Sequence, residues 1–467
     1  MNVLMIAFEF PPLGGIGVQR SLKLAKYLPE HGVRPIVITP DQASLERVIG
    51  PAREEGLLKE LPASVRVERV PCPPLPTPAK TKVGRWLRGF FRIGEQLASL
   101  WRESVLVALP DIIERERPTA VYVSVPPFSM APLALEIAER WRLPLLVDFR
   151  DHWSLWGSDP HPSLLHHRLV NWQEGRVLRG AAAVTGVTRQ LIADLRAAHP
   201  EVPERKFAVV PNGFDGTEEL AEAIPARAGT RERPFVIGYV GSFYYTPQSR
   251  ASILQPWWRR SPAHWLHYSP RREDWLYRSP FFCFRALAQV FAQRPELRER
   301  VRVRFVGDTP DWLREQVRAA GLEEVVEHLG RMPHRACLEF QATCDALLVT
   351  STKVLGGEDY CIAGKTFEYV AARRPVLGFV TPGAQRWFLE NSGLALVADP
   401  DDPASATPRL EELVEGRLEF RPAAEFLRQF HRRETARLMA ATLRGLVRSL
   451  EPEAIPARPM EAASVKA

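Results

Sequence analysis

Short apolar runs alternate with helix-spaced segments along most of the chain. Segments with helical spacing of apolar residues lie between several of these runs, as at 21–31, 133–142, 189–198 and 282–293. Strands that alternate with helices predict parallel sheets covered by helices on both faces. The sequence therefore predicts an α/β protein with two doubly wound domains and a cleft between them. The runs predicted as strands are 3–8, 33–39, 120–125, 143–149, 182–187 and 206–210 in the first half, and 235–240, 301–306, 325–329, 346–349, 375–379 and 395–397 in the second.

Composition shifts along the chain predict the domain boundaries. The first domain is expected over 1–216, with a loop-rich stretch at 41–80, and it ends at a Pro-Asn-Gly turn. The polar, alanine-rich segment 217–232 predicts a linker, and the second domain is expected over 233–420. A last helix is predicted over 421–450, and the Pro- and Ala-rich residues 451–467 are expected to be disordered.

The overall composition is that of an ordinary globular protein. The chain has 467 residues, 45% of them hydrophobic and 25% charged, and a formal net charge of +7. This mildly basic balance fits anionic ligands or an anionic membrane surface, and it does not by itself predict nucleic-acid binding. No apolar run approaches the roughly 20 residues that span a bilayer. The first residues are typical of a buried strand rather than a signal peptide.

The cysteines point to an intracellular protein. They occur without C-x-x-C pairs, which argues against a zinc site and a disulfide framework and suits a reducing cytosol. A cytoplasmic location is therefore expected, with peripheral attachment to the inner face of the membrane as a further possibility. The five positions are Cys72, Cys283, Cys337, Cys344 and Cys361.

The segment 363–378 combines a glycine turn, a short helix and a buried strand. Backbone N–H groups at the helix N-terminus, near Ala363 and Gly364, form an anion site, and Lys365 adds a positive charge. Glu368 follows three residues after Lys365, so both side chains face the same side of the helix. This pattern predicts a nucleotide-sugar pocket, with the diphosphate on the amides and the lysine and a sugar hydroxyl pair on the carboxylate.

A second glycine loop follows the first predicted strand. Gly14 and Gly15 would let the backbone approach a ligand closely. The loop lacks the G-x-G-x-x-G dinucleotide fingerprint and its following acidic residue. A ligand loop and a plain tight turn both remain open.

Charged residues crowd the end of the strand predicted at 143–149. Asp148, Arg150 and Asp151 lie where open α/β sheets bind ligands, at the carboxyl end of a parallel strand. A structural ion pair of Arg150 with a carboxylate is the alternative. The position and the charge density favour a functional role.

Two stretches carry aromatic and basic residues that suit a membrane interface. Between 82 and 101, an apolar face that includes Trp86 and Phe90 lies opposite a basic face that includes Arg88. A surface helix that covers the core is the preferred alternative there. In the insertion 244–281, which includes Trp257 and Trp258, prolines exclude one long helix. Acceptor binding, membrane contact and a folded lid remain open for this insertion.

Several motifs, in their order, resemble a known enzyme family. Over nearly the whole chain except 41–110, the insertion and the tail, the sequence is similar to retaining glycosyltransferases of family 4, which have the GT-B fold. The matching pieces are Phe10-Pro11-Pro12-Leu13-Gly14-Gly15, the segments 148–153, 210–215, 238–242 and 304–308, and Gly364-Lys365-Thr366-Phe367-Glu368-Tyr369.

The resemblance implies two Rossmann-like domains that face each other, with the final helix crossing back to the first. It places a nucleotide-sugar donor mainly on the second domain and the acceptor on the first. Glu368 is then expected on the ribose and Gly14–Gly15 near the diphosphate. The donor-binding residues implied in this way are Gly14, Gly15, Gly241, Ser242, Arg250, Ala363, Gly364, Lys365 and Glu368.

The chain departs from the family pattern at three places. The family often has two glutamates with seven residues between them, and Tyr360 stands at the first of these positions. Arg150 stands where a histidine commonly precedes the aspartate of the acceptor side. The basic pair after the glycine-rich strand of the second domain is represented only by Arg250, within the insertion.

The expected reaction is transfer of a sugar to a hydroxyl with retention at the anomeric carbon. The acceptor would be a polysaccharide or a lipid-linked glycan, and Asp148 or Asp151 would orient or help to deprotonate its hydroxyl. No D-x-D-type carboxylate pair follows a strand of the second domain, so no metal and no further cofactor are expected. The alternatives are a nucleotide-sugar epimerase of the same fold and a non-catalytic, membrane-attached protein.

Overall fold

Two parallel β-sheets form the frame of the protein in the computed structural model, which describes residues 1–48, 54–74, 81, 84, 97–157, 160–216 and 222–448. Within these ranges the first sheet has seven strands in the order β3-β2-β1-β4-β5-β6-β7, all parallel. The chain therefore winds outward in both directions from β1, as in doubly wound folds. The strands are β1 Asn2–Ile6, β2 Arg34–Pro40, β3 Arg66–Val70, β4 Ala120–Val125, β5 Leu145–Phe149, β6 Ala183–Gly186 and β7 Phe207–Val209.

Helices cover both faces of this sheet. Their apolar residues pack on strands such as β4, in which all six residues are buried. The first-domain helices in the described ranges are α1 Ile16–Tyr27, α2 Gln42–Val48, α3 Leu97–Glu116, α4 Met130–Trp141, α5 Leu164–Gly180 and α6 Arg189–Ala198.

The second sheet repeats the same architecture with six parallel strands in the order β12-β11-β9-β13-β15-β16. Two short antiparallel pairs, β10 with β14 and β17 with β8, lie beside it. The strands are β8 Ile224–Pro225, β9 Phe235–Val240, β10 Glu273–Asp274, β11 Val301–Val306, β12 Val326–Gly330, β13 Ala346–Thr350, β14 Lys353–Val354, β15 Val376–Phe379, β16 Ala395–Ala398 and β17 Glu419–Phe420. The helices are α7 Pro247–Leu254, α8 Phe281–Gln293, α9 Asp311–Ala319, α10 His334–Thr343, α11 Gly364–Ala371, α12 Ala384–Ser392, α13 Thr407–Val414, α14 Ala424–Arg428 and α15 Arg432–Arg448.

The end of the chain returns to the first domain, as predicted. Apolar residues of α15, among them Met439 and Leu443, are buried in one cluster with Val3, Met5 and Leu24. The predicted single helix over 421–450 is wrong in its middle, because the chain breaks between α14 and α15. At the break, the Phe214 N–H donates to Phe430 O at 3.0 Å and the Arg432 N–H donates to Phe214 O at 3.0 Å. The helix is interrupted where it pairs with the chain that leaves the first domain.

Three further differences from the sequence prediction concern local structure. The strand β3 lies within the stretch expected to be loop-rich, and helix α5 was not predicted. The described part of the expected linker forms β8, which pairs with β17 of the second domain. The strand β3 lacks an apolar run, because charged residues alternate with its few apolar ones, and its sequence therefore does not predict a strand.

Two predictions fall outside the described residues. These are the aromatic-basic face that contains Trp86, Arg88 and Phe90, and the tail 451–467. Of the helices in the described ranges, none combines the length and the apolar character needed to cross a membrane.

Candidate functional site

Two glycine loops meet at the carboxyl edge of the second sheet. Gly241 follows β9 with a φ of 113°, and Gly307 follows β11 with a φ of 143°. A Cβ on Gly307 would lie 2.5 Å from Gly241 O, so the loops touch through their backbones. The Ser242 hydroxyl donates to Asp308 Oδ2 at 3.0 Å, and Asp308 also accepts from Arg331. Ser242 thus ties the two loops together.

The helix α11 begins beside these loops, as the sequence predicts. Its first turn offers the N–H groups of Gly364 and Lys365, which have no partner within the helix. The Ala363 N–H is different, because it donates to the buried Gln385 Oε1 at 2.8 Å. The implied role of the Ala363 amide on the diphosphate does not fit this geometry. Of the predicted anion site, the first two amides of the helix itself therefore remain available.

Lys365 points into the edge of the sheet. Its Nζ lies 3.6 Å from the centre of the Tyr239 ring, a cation–π contact. A Cβ on Gly241 would lie 3.2 Å from the same Nζ, so the glycine makes room for the lysine. Burial, together with the positive charge of Arg278, lowers the pKa of Lys365 to about 7. A bound anion would restore the charge of this amine.

Arg278 is the site residue that the sequence analysis missed. It lies in the insertion, and its guanidinium stacks 5.2 Å from the Trp275 ring and 5.8 Å from the Tyr244 ring. The Thr350 hydroxyl at the end of β13 donates to Arg278 O at 3.0 Å and fixes the backbone there. The only sequence signal for Arg278 is its position among the arginines and aromatic residues of the insertion.

Lys365 and Arg278 share one small cavity. It measures about 30 Å³, which is room for about two water molecules. Two cations that line one concave surface create a positive potential suited to phosphate oxygens. The lining residues are Tyr239, Ser242, Phe243, Tyr244, Arg278, Thr350, Ala363 and Lys365.

Arg250, the predicted donor-side cation, is already paired. Its Nε and one terminal nitrogen each donate to an oxygen of Asp274 at 2.8 Å, a bidentate ion pair within the insertion. A forked pair of this kind holds the guanidinium firmly. Arg278, rather than Arg250, brings the positive charge of the insertion to the cavity.

Glu368 lies one helical turn beyond Lys365 and remains partly exposed. Gln341 Nε2 donates to Glu368 Oε2 at 3.0 Å, and His334 Nε2 lies 3.5 Å from Glu368 Oε1. Burial alone would raise the pKa of Glu368, but the contacts with His334 and Gln341 lower it overall. Conversely, Glu368 raises the pKa of His334. The carboxylate is held ionised and oriented, with capacity to accept further hydrogen bonds.

The glycine loop of the first domain lies against Glu54, whose charge reaches His334 of the second domain. Gly15 caps α1 with a φ of 97°, in open space. A Cβ on Gly14 would lie 2.9 Å from the carboxylate of Glu54, and Glu54 contributes to the raised pKa of His334. The loop and the start of α10 are therefore close enough to interact across the cleft.

Asp148 lies beneath the edge of the first sheet, fully buried. Arg20 donates to both of its oxygens, at 2.6 and 2.7 Å, and the hydroxyls of Tyr122, Ser124 and Thr185 donate at 2.7–2.9 Å. Burial would raise the pKa of Asp148, but the Arg20 charge and these hydrogen bonds lower it overall. With all this capacity used, the geometry favours a structural role for Asp148 rather than contact with an acceptor.

Arg150 braces the loops around the cleft. It donates to Gly17 O at 2.6 Å and to Pro126 O, and it lies 3.5 Å from Glu9. These contacts join the loop before α1 to the loop after β4. Arg150 therefore positions the backbone of the first domain's edge.

Asp151 meets the second domain through Tyr360. The Tyr360 hydroxyl donates to Asp151 Oδ1 at 3.1 Å, and the Thr188 hydroxyl donates to Tyr360 O. The Tyr360 ring lies 4.0 Å from the His152 ring and under the Arg271 guanidinium at 5.3 Å. Tyr360 of the second domain thus contacts Asp151 of the first domain across the cleft.

The remaining predicted residues lie on the surface of the insertion. Trp257 and Trp258 are 59% and 64% exposed and take no part in the cavity. Within the described ranges, no group of three or more His, Cys, Asp or Glu side chains is arranged to hold a metal ion.

Two family models match the chain, one in each domain. Residues 14–213 match the model of the glycosyl transferase 4-like domain, and residues 284–430 match that of the glycosyl transferases group 1. In sequence the chain is similar to 2-deoxystreptamine N-acetyl-D-glucosaminyltransferase from Streptomyces fradiae. The two are 28% identical over 390 residues, which cover 80% of this chain and 76% of that protein.

Solved structures support the fold. Sucrose-phosphate synthase from Thermosynechococcus elongatus superposes with a TM-score of 0.55 and 14% identity, covering 96% of this chain and 99% of that one. HepE from Anabaena, in complex with UDP and glucose, gives a TM-score of 0.51 at 15% identity, covering 96% and 98%. The two sheets, their order and the returning helix confirm the predicted GT-B fold.

Proposed function

Because this chain is a glycosyltransferase with the GT-B fold, we propose that it transfers a sugar from a nucleotide-diphosphate sugar to a hydroxyl acceptor with retention. The acceptor is a glycan, either part of a polysaccharide or linked to a lipid. The donor lies mainly on the second domain and the acceptor on the first.

One observation carries the donor assignment. Lys365, Arg278 and the first amides of α11 converge at the edge of the sheet where two glycine loops touch. Amides at a helix N-terminus and two cations form a site for a diphosphate. Glu368, one turn along the helix, then lies where it can accept hydrogen bonds from the two ribose hydroxyls.

The same groups serve the chemical step. When the glycosidic bond to the diphosphate breaks, negative charge grows on the leaving phosphate. Lys365 and Arg278 are held beside that charge before the reaction begins, so little reorganisation is needed. These cations make the reaction independent of a metal ion in our proposal. Full activity in the presence of EDTA is the expected result.

Asp151 is the proposed acceptor-side carboxylate. It is partly exposed, and one of its oxygens accepts from Tyr360, which leaves its second oxygen to orient an acceptor hydroxyl. Asp148 and Arg150 act behind it, because both are engaged in holding the edge of the first sheet.

Nucleotide binding tests the donor assignment. Nucleoside diphosphates and nucleotide sugars are screened by thermal shift, and hits are measured by calorimetry. We expect Glu368→Gln to weaken binding of the best nucleotide about tenfold, the value of hydrogen bonds to a charged group. The 2′,3′-dideoxy analogue of that nucleotide should bind the wild type and Glu368→Gln with equal affinity. The exposed Glu390→Gln serves as the matched control.

Two outcomes would count against the proposal. Unchanged affinity of Glu368→Gln for every nucleotide that binds would remove the ribose assignment. Failure of all nucleotides to stabilise the protein would remove the transferase and favour a non-catalytic role. Incubation of the protein with the donor alone, monitored by NMR, distinguishes an epimerase from a transferase, because an epimerase changes the sugar without an acceptor. In the complete reaction, the coupling of the anomeric proton reports retention or inversion.

A further inference from the structure

An apolar and basic surface extends over both domains, outside the donor site. It is formed by the outer face of α5 and by the exposed loop of the insertion, and we call it the Trp–Arg surface. We infer that this surface docks the protein on a bilayer that contains anionic lipid. Its residues are Leu165, Arg168, Leu169, Trp172, Trp257, Trp258, Arg259, Trp265 and Leu266.

The outer face of α5 is apolar where a surface helix is normally polar. Leu165, Leu169 and Trp172 are spaced at i, i+4 and i+7, so they share one face. They are 63%, 36% and 58% exposed. The helix already packs its other side on the first-domain core through Val170, Val177 and Leu178. Single exposed apolar residues are ordinary, but a contiguous set marks an interaction surface.

The insertion presents its tryptophans from a fixed loop. Arg260 donates to His267 O at 2.8 Å and to Gln255 O at 3.1 Å, and Trp265 Nε1 donates to Arg260 O at 2.9 Å. These bonds fold the loop back on itself while Trp258 and Leu266 each remain 64% exposed. The tryptophans therefore form no core of a lid, which removes one of the three interpretations of the insertion for this loop.

The two parts adjoin each other. His161, just before α5, and Tyr268, at the end of the loop, exchange both backbone hydrogen bonds at 2.9 Å. The His167 ring of α5 lies 5.0 Å from the Tyr268 ring. The helix and the loop are therefore direct neighbours.

The charge of this surface selects the occupant. The stretch 255–272 contains four arginines and no aspartate or glutamate; Arg271 is paired with Asp194 and Glu273, whereas Arg259 and Arg272 are exposed. On α5, Arg168 is exposed and the acidic residue of this helix, Glu174, is fully buried, while the exposed Arg176 pairs with Glu139 of α4 at 3.8 Å. Exposed tryptophan and leucine side chains flanked by exposed arginines fit the headgroup region of an anionic bilayer. A protein partner is the other outcome that the experiment must distinguish.

Vesicle sedimentation with the full chain tests the inference. Vesicles of phosphatidylcholine are compared with vesicles of phosphatidylcholine and phosphatidylglycerol at 3:1, without nucleotide. We expect binding to the mixed vesicles that weakens with salt, because surface charges are screened. The double variant Trp257→Ser with Trp258→Ser should reduce partitioning at least about tenfold, because it removes two exposed aromatic side chains that enter the headgroup region in our inference.

A second pair of variants isolates the charge contribution. Arg168→Gln with Arg259→Gln takes one arginine from each domain and should reduce binding to the mixed vesicles about 25-fold, roughly fivefold per arginine. Arg314→Gln with Arg318→Gln on α9 removes the same charge outside the surface and should leave binding unchanged. Leu338→Ser on α10 is the matched control for the tryptophans.

Two results would overturn the inference. One is wild-type protein that stays in the supernatant with mixed vesicles at low salt. The other is a tryptophan variant, shown to be folded by circular dichroism, that binds as tightly as the wild type. If vesicles do not bind while light scattering shows wild-type oligomers that the tryptophan variant lacks, the surface is a protein interface. Because nucleotide is omitted, none of these results bears on the donor site.

Discussion

The ionisation of Lys365 leads to a pH dependence of nucleotide binding that the structure allows to be worked out. Burial and Arg278 hold the pKa of the free amine at about 7. A diphosphate bound beside it favours the protonated form, so the pKa in the complex lies above that of the free protein. The affinity is then greatest well below pH 7 and falls as the pH rises through 7 towards the pKa of the complex.

The size of this effect follows from linkage. If the pKa of the complex is 9 or higher, the dissociation constant rises about tenfold between pH 6 and pH 8. The exact pKa of the complex changes this factor little, because both pH values lie below it. Isothermal titration with a nucleotide-diphosphate sugar, whose diphosphate diester does not titrate between these pH values, measures the factor at constant ionic strength. Proton uptake on binding, seen with buffers of different ionisation enthalpy, checks the same linkage independently.

The controls separate Lys365 from its neighbours. Lys365→Met should bind more weakly at pH 6 and lose the pH dependence. Lys353→Met, which removes a lysine paired with Asp401 at the surface, should keep it. His334→Gln tests whether the histidine beside Glu368 contributes. A wild-type affinity that is flat between pH 6 and 8, or a slope that survives in Lys365→Met, would refute the reasoning.

Three further predictions concern the cleft and its frame. Asp148→Asn should lower the free energy of unfolding by about 3–5 kcal/mol in a denaturant titration, because Arg20 is left buried without its partner. The exposed Asp111→Asn is the control, and an equal effect of both variants would contradict the assigned ion pair. Tyr360→Phe should lower the stability by about 1 kcal/mol. It should also raise the KM for the acceptor while the donor affinity stays within about twofold. A loss of donor affinity alone would show that Tyr360 acts on the donor and not on the acceptor. Burial raises the pKa of Glu273 to about 7, so its contribution to stability is full below its ordinary pKa and is lost as the pH rises through 7; Glu273→Gln should flatten the stability profile over this range, and an unchanged profile would contradict the shift.

The sequence predicted the fold because its signal is local. Apolar runs of strand length, separated by helical spacing and glycine turns, define a parallel sheet wherever they occur. The strands Ala120–Val125, Phe235–Val240 and Val301–Val306 are found with the predicted bounds. The helix at Gly364 and the order of Lys365 and Glu368 on it were equally readable, since three residues of spacing fix their common side.

The details of the site were not readable, because they depend on distant contacts. Asp148 looked like a charge at the end of a strand, but Arg20, 128 residues away, neutralises it in the core. The sequence suggests that the Ala363 amide is available to a ligand, but in the structure it donates its hydrogen bond to Gln385 on the next helix. The sequence does not distinguish the roles of Arg250 and Arg278, because both lie in the same insertion. Only the fold of the insertion pairs the first with Asp274 and turns the second towards Lys365.

Local periodicity thus determined the two sheets, and the glycine turn with Lys365 and Glu368 marked the proposed anion site along the chain, whereas the return of the last helix was implied by the resemblance to the family. The tertiary structure decided which charges remain available there, because each buried charge must find a partner or shift its pKa. The choice of partner depends on which residues the completed fold brings within a few ångströms. For this protein, that choice left Lys365 and Arg278 at the cavity and enclosed Asp148 in the core.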